Sequence, residues 1–348
     1  MSEQAASTSD PHRHLIVRAA LRTDVGLVRS ENQDFGACTT AQEESESHPG
    51  GRLLIVADGM GGHRGGATAS RLAAETVKAQ FLGSETTDIP TALRESLVRA
   101  NARIFAEAQA NPELRGMGTT TSVLAVRGEQ GWLAHVGDSR IYLVRNGQIQ
   151  QLTDDHSLVA TMVREGLLTS AEAETHPRRN VLQRSMGVAE DVEVDLRGPF
   201  DLQPGDTFIL CSDGLHGLVK EPELKEIAAK PIELAADEFL RKALERGAPD
   251  NVTVIVARVE ESDGGDETLV DRLDETQPFE PPLDESQKDT QKLVAVPPDE
   301  PVDVARASAR EEEAPRAEAR TTSPLLLWVV LIIAILGGAA GWYYWINH

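Results

Sequence analysis

The chain has 348 residues, 40% hydrophobic and 26% charged, proportions that exclude wholesale disorder and a multi-span membrane protein. Its 34 Lys and Arg against 56 Asp and Glu leave a net charge of −22, which repels nucleic acid and excludes a polymer-phosphate binder. Two cysteines far apart, Cys38 and Cys211, build neither a disulfide framework nor a cysteine zinc site, and suit a reducing compartment.

Residues 1–13 hold no apolar run, so they are expected to be disordered, with no cleaved secretory signal. Residues 14–260 alternate strand-like and helix-like patterns. LLIVAD (53–58), TTSVLAV (120–126), GWLAHVGD (131–138) and TFILCSD (207–213) are apolar or β-branched runs that each end at a turn signal. Stretches 67–82, 91–110 and 232–246 repeat apolar residues at three and four, as amphipathic helices do. Asn146-Gly147 in RIYLVRNGQIQQL predicts a type I′ hairpin over 140–152. Two long helices come together after the second strand and strands then follow in a run, which predicts an α+β fold with antiparallel sheet. Residues 261–323 carry 18 acidic and 7 basic residues with Pro, Thr and Ala, half of the net charge, and read as a disordered, self-repelling linker. Residues 325–345 (LLLWVVLIIAILGGAAGWYYW) contain no charge over 21 positions, enough at about 1.5 Å per residue to span a roughly 30 Å hydrocarbon core. A transmembrane helix over 324–346 is therefore expected. Arg316 and Arg320 before it and the Trp342–Trp345 aromatics at its far end orient the preceding domain to the cytoplasm. Gly337 and Gly341 stand four apart, a spacing that permits close helix packing in a membrane without establishing a dimer.

Asp58 (VADGMGG), Asp138 (HVGDSR) and Asp213 (LCSDGL) close apolar strands, and Asp250 (APDNVTVIV) opens one. A single Asp-Gly is more often a turn, but four such carboxylates can meet in one cleft, where they repel unless cations balance them. An oxygen-only set without His or Cys suits Mg²⁺ or Mn²⁺ better than zinc. The glycine-rich GMGGHRGG lacks the Lys-Ser/Thr and the spacing of a nucleotide loop.

The ordered blocks TDVGLVRSENQD (23–34), VADGMGGHRGG (56–66), MGTTTSVLAV (117–126), HVGDSRIYLVRNG (135–147), LTDDHSLV (152–159), LQRSMG (182–187), LCSDGL (210–215) and DNVTVIV (250–256) are similar to those of the metal-dependent PPM (type 2C) serine/threonine phosphatases, the bacterial branch above all. The resemblance covers nearly all of 14–260. It implies a four-layer α-β-β-α sandwich, two antiparallel sheets flanked by helices, with a binuclear Mn²⁺ or Mg²⁺ centre at one end. Carried over block by block, Asp58 would bridge two ions, the Gly59 carbonyl would bind the second, and Asp213 and Asp250 would complete the first. Asp138 with Asp213 would hold a looser third ion, and Arg29 would bind the substrate phosphate. The implied reaction is in-line attack by a water bridging two cations, without a phosphoenzyme, so Ser139, Ser212 and Cys211 are not cast as nucleophiles.

Two positions depart from eukaryotic relatives. Gln33-Asp34 replaces Glu-Asp, so Asp34 is expected to act through waters rather than by direct ligation. Met60 stands where those relatives have a histidine read as general acid, which leaves His63 or a water as alternatives. Residues 160–181 fall where the family has a mobile flap, and Arg178 and Arg179 there are either substrate contacts or solvated loop residues.

The resemblance thus implies a membrane-anchored phosphatase on the cytoplasmic face of a bacterial inner membrane. Its partners would be phosphorylated proteins, Ser/Thr kinases and their substrates, and membrane lipid through the C-terminal helix. A catalytically inactive phosphoprotein-binding module of the same fold is the alternative. Thr268 and Thr276, in acidic surroundings, would accept phosphate and give the acidic linker a docking role beside the enzyme.

Overall fold

The computed structural model describes residues 14–40, 43, 51–61 and 64–262, all within one compact unit. The expected N-terminal disorder, most of the linker, the 324–346 span, His63, Thr268, Thr276 and the Gly337/Gly341 pair lie outside them. Among the described residues no helix is long and apolar enough to cross a membrane.

Two antiparallel sheets stack face to face. The first has the order β1 (His14–Asp24), β11 (Val252–Ser262), β10 (Thr207–Cys211), β7 (Arg140–Arg145), β8 (Gln148–Gln151). The second runs β2 (Asp34–Cys38), β3 (Arg52–Met60), β5 (Thr121–Arg127), β6 (Gln130–Val136), β9 (Asp195–Asp201), with the two-residue β4 (Gly118–Thr119) paired to the end of β3. Helices α1 (Gly65–Leu82) and α2 (Ile89–Ala110) cover the second sheet. Helices α5 (Asp213–His216), α6 (Glu221–Ala228) and α7 (Ile232–Glu245) cover the first. Short α3 (Leu158–Arg164) and α4 (Ser170–Thr175) lie in the segment expected to form the flap.

Covering each sheet on both faces explains the unbroken apolar strands, because alternate side chains enter different cores. In β3, Leu53 and Ile55 pack under α1 and α2 while Leu54 and Val56 pack between the sheets. In β11, Val252, Val254 and Val256 face α7 while Ile255, Ala257 and Val259 join the inter-sheet core. The result is the α-β-β-α layering. Asn146 (φ 50°) and Gly147 (φ 70°) form the expected hairpin turn between β7 and β8.

Three expectations shift. The paired helices follow the third strand, not the second, because 14–24 and 34–38 are both strands; β1, an edge strand, sets Arg18 and Arg22 against acidic partners instead of reading as an apolar run. β3 continues past Asp58 to Met60, because Gly59 and Met60 pair with β4. Glu261 and Ser262, expected to open the linker, are still paired to Leu15 and His14 of β1.

A candidate active site at the end of the sandwich

Asp34 and Asp58 are direct cross-strand partners on β2 and β3. Like charges so placed repel, and burial sharpens the conflict. Desolvation, then Asp34, Asp213, Asp138 and Asp250, hold the Asp58 carboxyl well above the usual carboxylate range. Burial raises Asp34 to about 7 against hydrogen bonds from Ser212 and Thr253. It raises Asp138 to about 7 as well, with Asp213 and Asp155 adding to the shift. Asp213, the first residue of α5, is raised by burial and by Asp250, with the neighbouring Asp58 carboxyl and Arg29 acting against the shift. Asp250 lies just before β11 and accepts from Arg29 Nη2 at 2.7 Å. That contact brings the arginine of the β1–β2 loop to the carboxylates.

The backbone around this cluster is tightly tied. Asp58 N donates to Thr120 Oγ1 at 2.9 Å, and its carbonyl accepts from Thr119 Oγ1 and Thr120 N, both at 2.9 Å. Thr120 Oγ1 also meets Ser139 Oγ at 2.7 Å, next to Asp138. On the other side, His216 Nε2 donates to the Asp138 carbonyl at 3.1 Å, and burial pushes that imidazole down to about 3, so it stays neutral. Ser212 Oγ donates to Asp34 Oδ2 at 2.6 Å and accepts from Thr253 N at 3.0 Å.

The glycines after Asp58 and Asp213 are not the left-handed turn residues that Asp-Gly suggests, since neither has a positive φ. They are small because another backbone passes. A Cβ on Gly59 would lie 2.1 Å from the Gly66 carbonyl oxygen, and one on Gly214 would lie 1.9 Å from that of Asn251.

Asp34, Asp58, Asp138, Asp213, Asp250 and Arg29 thus gather at one end of the sandwich, and Gly59 follows Asp58 on the same strand. Among the described residues no three acidic, His or Cys side chains close on a single point as metal ligands do. The carboxylates are engaged instead by Arg29, by Ser212 and by one another. The donor chemistry nevertheless fits hard divalent cations: oxygen only, half-buried or buried, and mutually repelling. Met60 pairs with Gly118 on β4. Arg178 and Arg179 are exposed. Cys211 is fully buried and raised to about 12, a packed thiol. Sequence reading missed Thr120, His216 and Asn251 and credited Ser212 with nothing; only the Thr119–Thr121 run and the Asp250-Asn251 pair marked any of them.

A layered α+β sandwich with clustered carboxylates and an arginine at one end offers oxygen donors for divalent cations and a guanidinium for an anion such as phosphate. Residues 30–247 match the family described as protein phosphatase 2C. The chain is 40% identical over 249 residues to the serine/threonine phosphatase stp of Listeria monocytogenes, covering 69% of this chain and 95% of that one. It superposes on the crystal structure of the serine/threonine phosphatase Stp1 from Staphylococcus aureus with TM-score 0.64 and 34% identity, over 70% of this chain and 96% of that one. It also matches the catalytic domain of the phosphatase PstP in complex with two manganese ions, with TM-score 0.61 and 34% identity, over 71% and 99% of the two chains. This chain belongs to the protein phosphatase 2C (PPM) family.

Proposed function

We infer that the chain is a metal-dependent protein serine/threonine phosphatase, hydrolysing phosphoserine and phosphothreonine with Mn²⁺ or Mg²⁺ as cofactor. The gathering of five carboxylates beside Arg29, Asp34 buried and Asp58, Asp138, Asp213 and Asp250 half-buried, in a chain of this family, carries the inference. Asp58, Asp213, Asp250 and the Gly59 carbonyl would hold two ions, Asp138 with Asp213 a third, and Asp34 would act through waters rather than by direct ligation. Bound there, the cations supply a lowered pKa for an attacking water and positive charge against the phosphate. Arg29 offers a guanidinium fork that already engages an oxyanion, Asp250, and suits phosphate oxygens. Ser139 and Ser212 are fully buried and the Cys211 thiol stays protonated at neutral pH, so none is a nucleophile. With every carboxylate of the set present, an inactive phosphoprotein-binding module is the weaker reading. Phosphate release from a phosphothreonine peptide by the full chain decides: turnover with Mn²⁺ or Mg²⁺ that EDTA abolishes is expected, whereas binding without turnover would establish the module.

The charge pattern further supports an anchored enzyme, with residues 324–346 spanning a bacterial inner membrane, the acidic 261–323 segment as tether and the catalytic domain in the cytoplasm, opposing a Ser/Thr kinase. Truncation after residue 323 should move the protein from the membrane pellet to the supernatant on fractionation. A full chain recovered entirely in the supernatant would contradict the anchor.

A further inference from the structure

Residues 25–33, between β1 and β2, carry Arg29 without regular structure of their own, and one side chain fastens them. Asn251 Nδ2 donates to the carbonyls of Val25 at 2.8 Å and Glu31 at 3.0 Å, and Asn251 Oδ1 accepts from Gln33 N at 2.8 Å. The amide orientation is fixed by these partners, since the flipped group would set its oxygen against two carbonyls. Asn251 is 5% exposed. The same short segment holds the loop at two further points. Leu27 N donates to the Ala248 carbonyl at 2.9 Å, and Gly26, at φ +75°, passes so close that a Cβ would lie 2.3 Å from the Asp250 carbonyl oxygen. Arg29 therefore sits midway along a loop pinned on both sides to the start of β11, where its guanidinium meets Asp250.

We propose that Asn251 is the positioning residue for Arg29, its amide holding the 25–33 loop so that the guanidinium is in place before substrate phosphate arrives. The proposal rests on Arg29 being the phosphate-binding group. A long arginine on an unstructured loop loses much freedom when it grips a ligand, and a loop already fixed has lost part of it beforehand. Asp250 and Asn251 then divide two duties between neighbouring residues, one toward the cations and one toward the loop.

The test compares Asn251→Ala, Arg29→Ala and the double variant in the full chain. Three quantities are read: KM for a phosphothreonine peptide, inhibition by inorganic phosphate, and the Mn²⁺ concentration for half-maximal activity. Asn251→Ala should raise KM and the phosphate inhibition constant about ten-fold while leaving the Mn²⁺ requirement within about two-fold. The double variant should be within about two-fold of Arg29→Ala alone, because the amide acts only through the arginine. Additive losses, or a shifted Mn²⁺ requirement with KM unchanged, overturn the proposal. If Arg29→Ala leaves KM and phosphate inhibition unchanged, the phosphate-binding role of Arg29 falls, and the proposal with it. Melting curves identify a variant that does not fold. In that event Asn32→Ala, which cuts the bonds from Asn32 Nδ2 to Thr23 Oγ1 and from Asp34 N to Asn32 Oδ1, loosens the same loop and must show the same non-additivity.

Discussion

Ser212 shows how a side chain beside a reactive cluster serves it without reacting. Its hydroxyl gives one hydrogen bond to Asp34 and takes one from Thr253 N, so its removal leaves Asp34 with less to offset burial. Ser212→Ala should raise the Asp34 pKa further and cost about 1–3 kcal/mol of stability, read as a lower melting temperature. Phosphate release should stay within about ten-fold of wild type, because no covalent step passes through it; a loss beyond about a thousand-fold would mark it as a nucleophile. Asp58, Asp138, Asp213 and Asp250 were legible in the sequence because each borders an apolar strand. Ser212 and Asn251 were not, since their meaning lies in partners 178 and 218 residues away.

At the scale of elements, the site exists because β3 does not stop at Asp58. It runs on to Met60, pairs with β4, and brings Gly59 against the first turn of α1. Gly59→Ala must push β3 off α1, since the colliding atom is backbone and cannot rotate away. Loss of about 2 kcal/mol or more in denaturant unfolding, together with loss of phosphatase activity, is expected; a variant of unchanged stability would refute the close-approach account. The strands inside the sandwich were readable as unbroken apolar runs, whereas the extension to Met60 was hidden, because Asp-Gly is as good a turn signal as it is a crossing point.

For the whole molecule, buried carboxylates tie stability to both pH and metal. Asp34 and Asp138 titrate near 7 in the fold against 3.8 ordinarily, so the folded, metal-free protein holds protons that the unfolded chain releases. Their contribution is fully present below about pH 4 and is lost as pH rises through about 7. Buried His135 and His216, lowered to about 4 and about 3 from 6.5, run the other way, contributing above pH 6.5 and losing that contribution as pH falls through their folded values. The two trends overlap, so the informative quantity is the rise in melting temperature on adding Mn²⁺. It should grow from about pH 5 to about pH 8 as the carboxylates release their protons to solvent and become free to bind the cation, and a rise independent of pH would contradict the picture. If these carboxylates are the metal site of the phosphatase, Mn²⁺-dependent phosphate release from a phosphothreonine peptide by the wild type and by Asp213→Ala tests it most directly. A loss of at least about a hundred-fold is expected in the variant at the Mn²⁺ concentration that saturates the wild type. A variant that keeps the wild-type rate and the wild-type Mn²⁺ requirement would contradict the metal-site assignment.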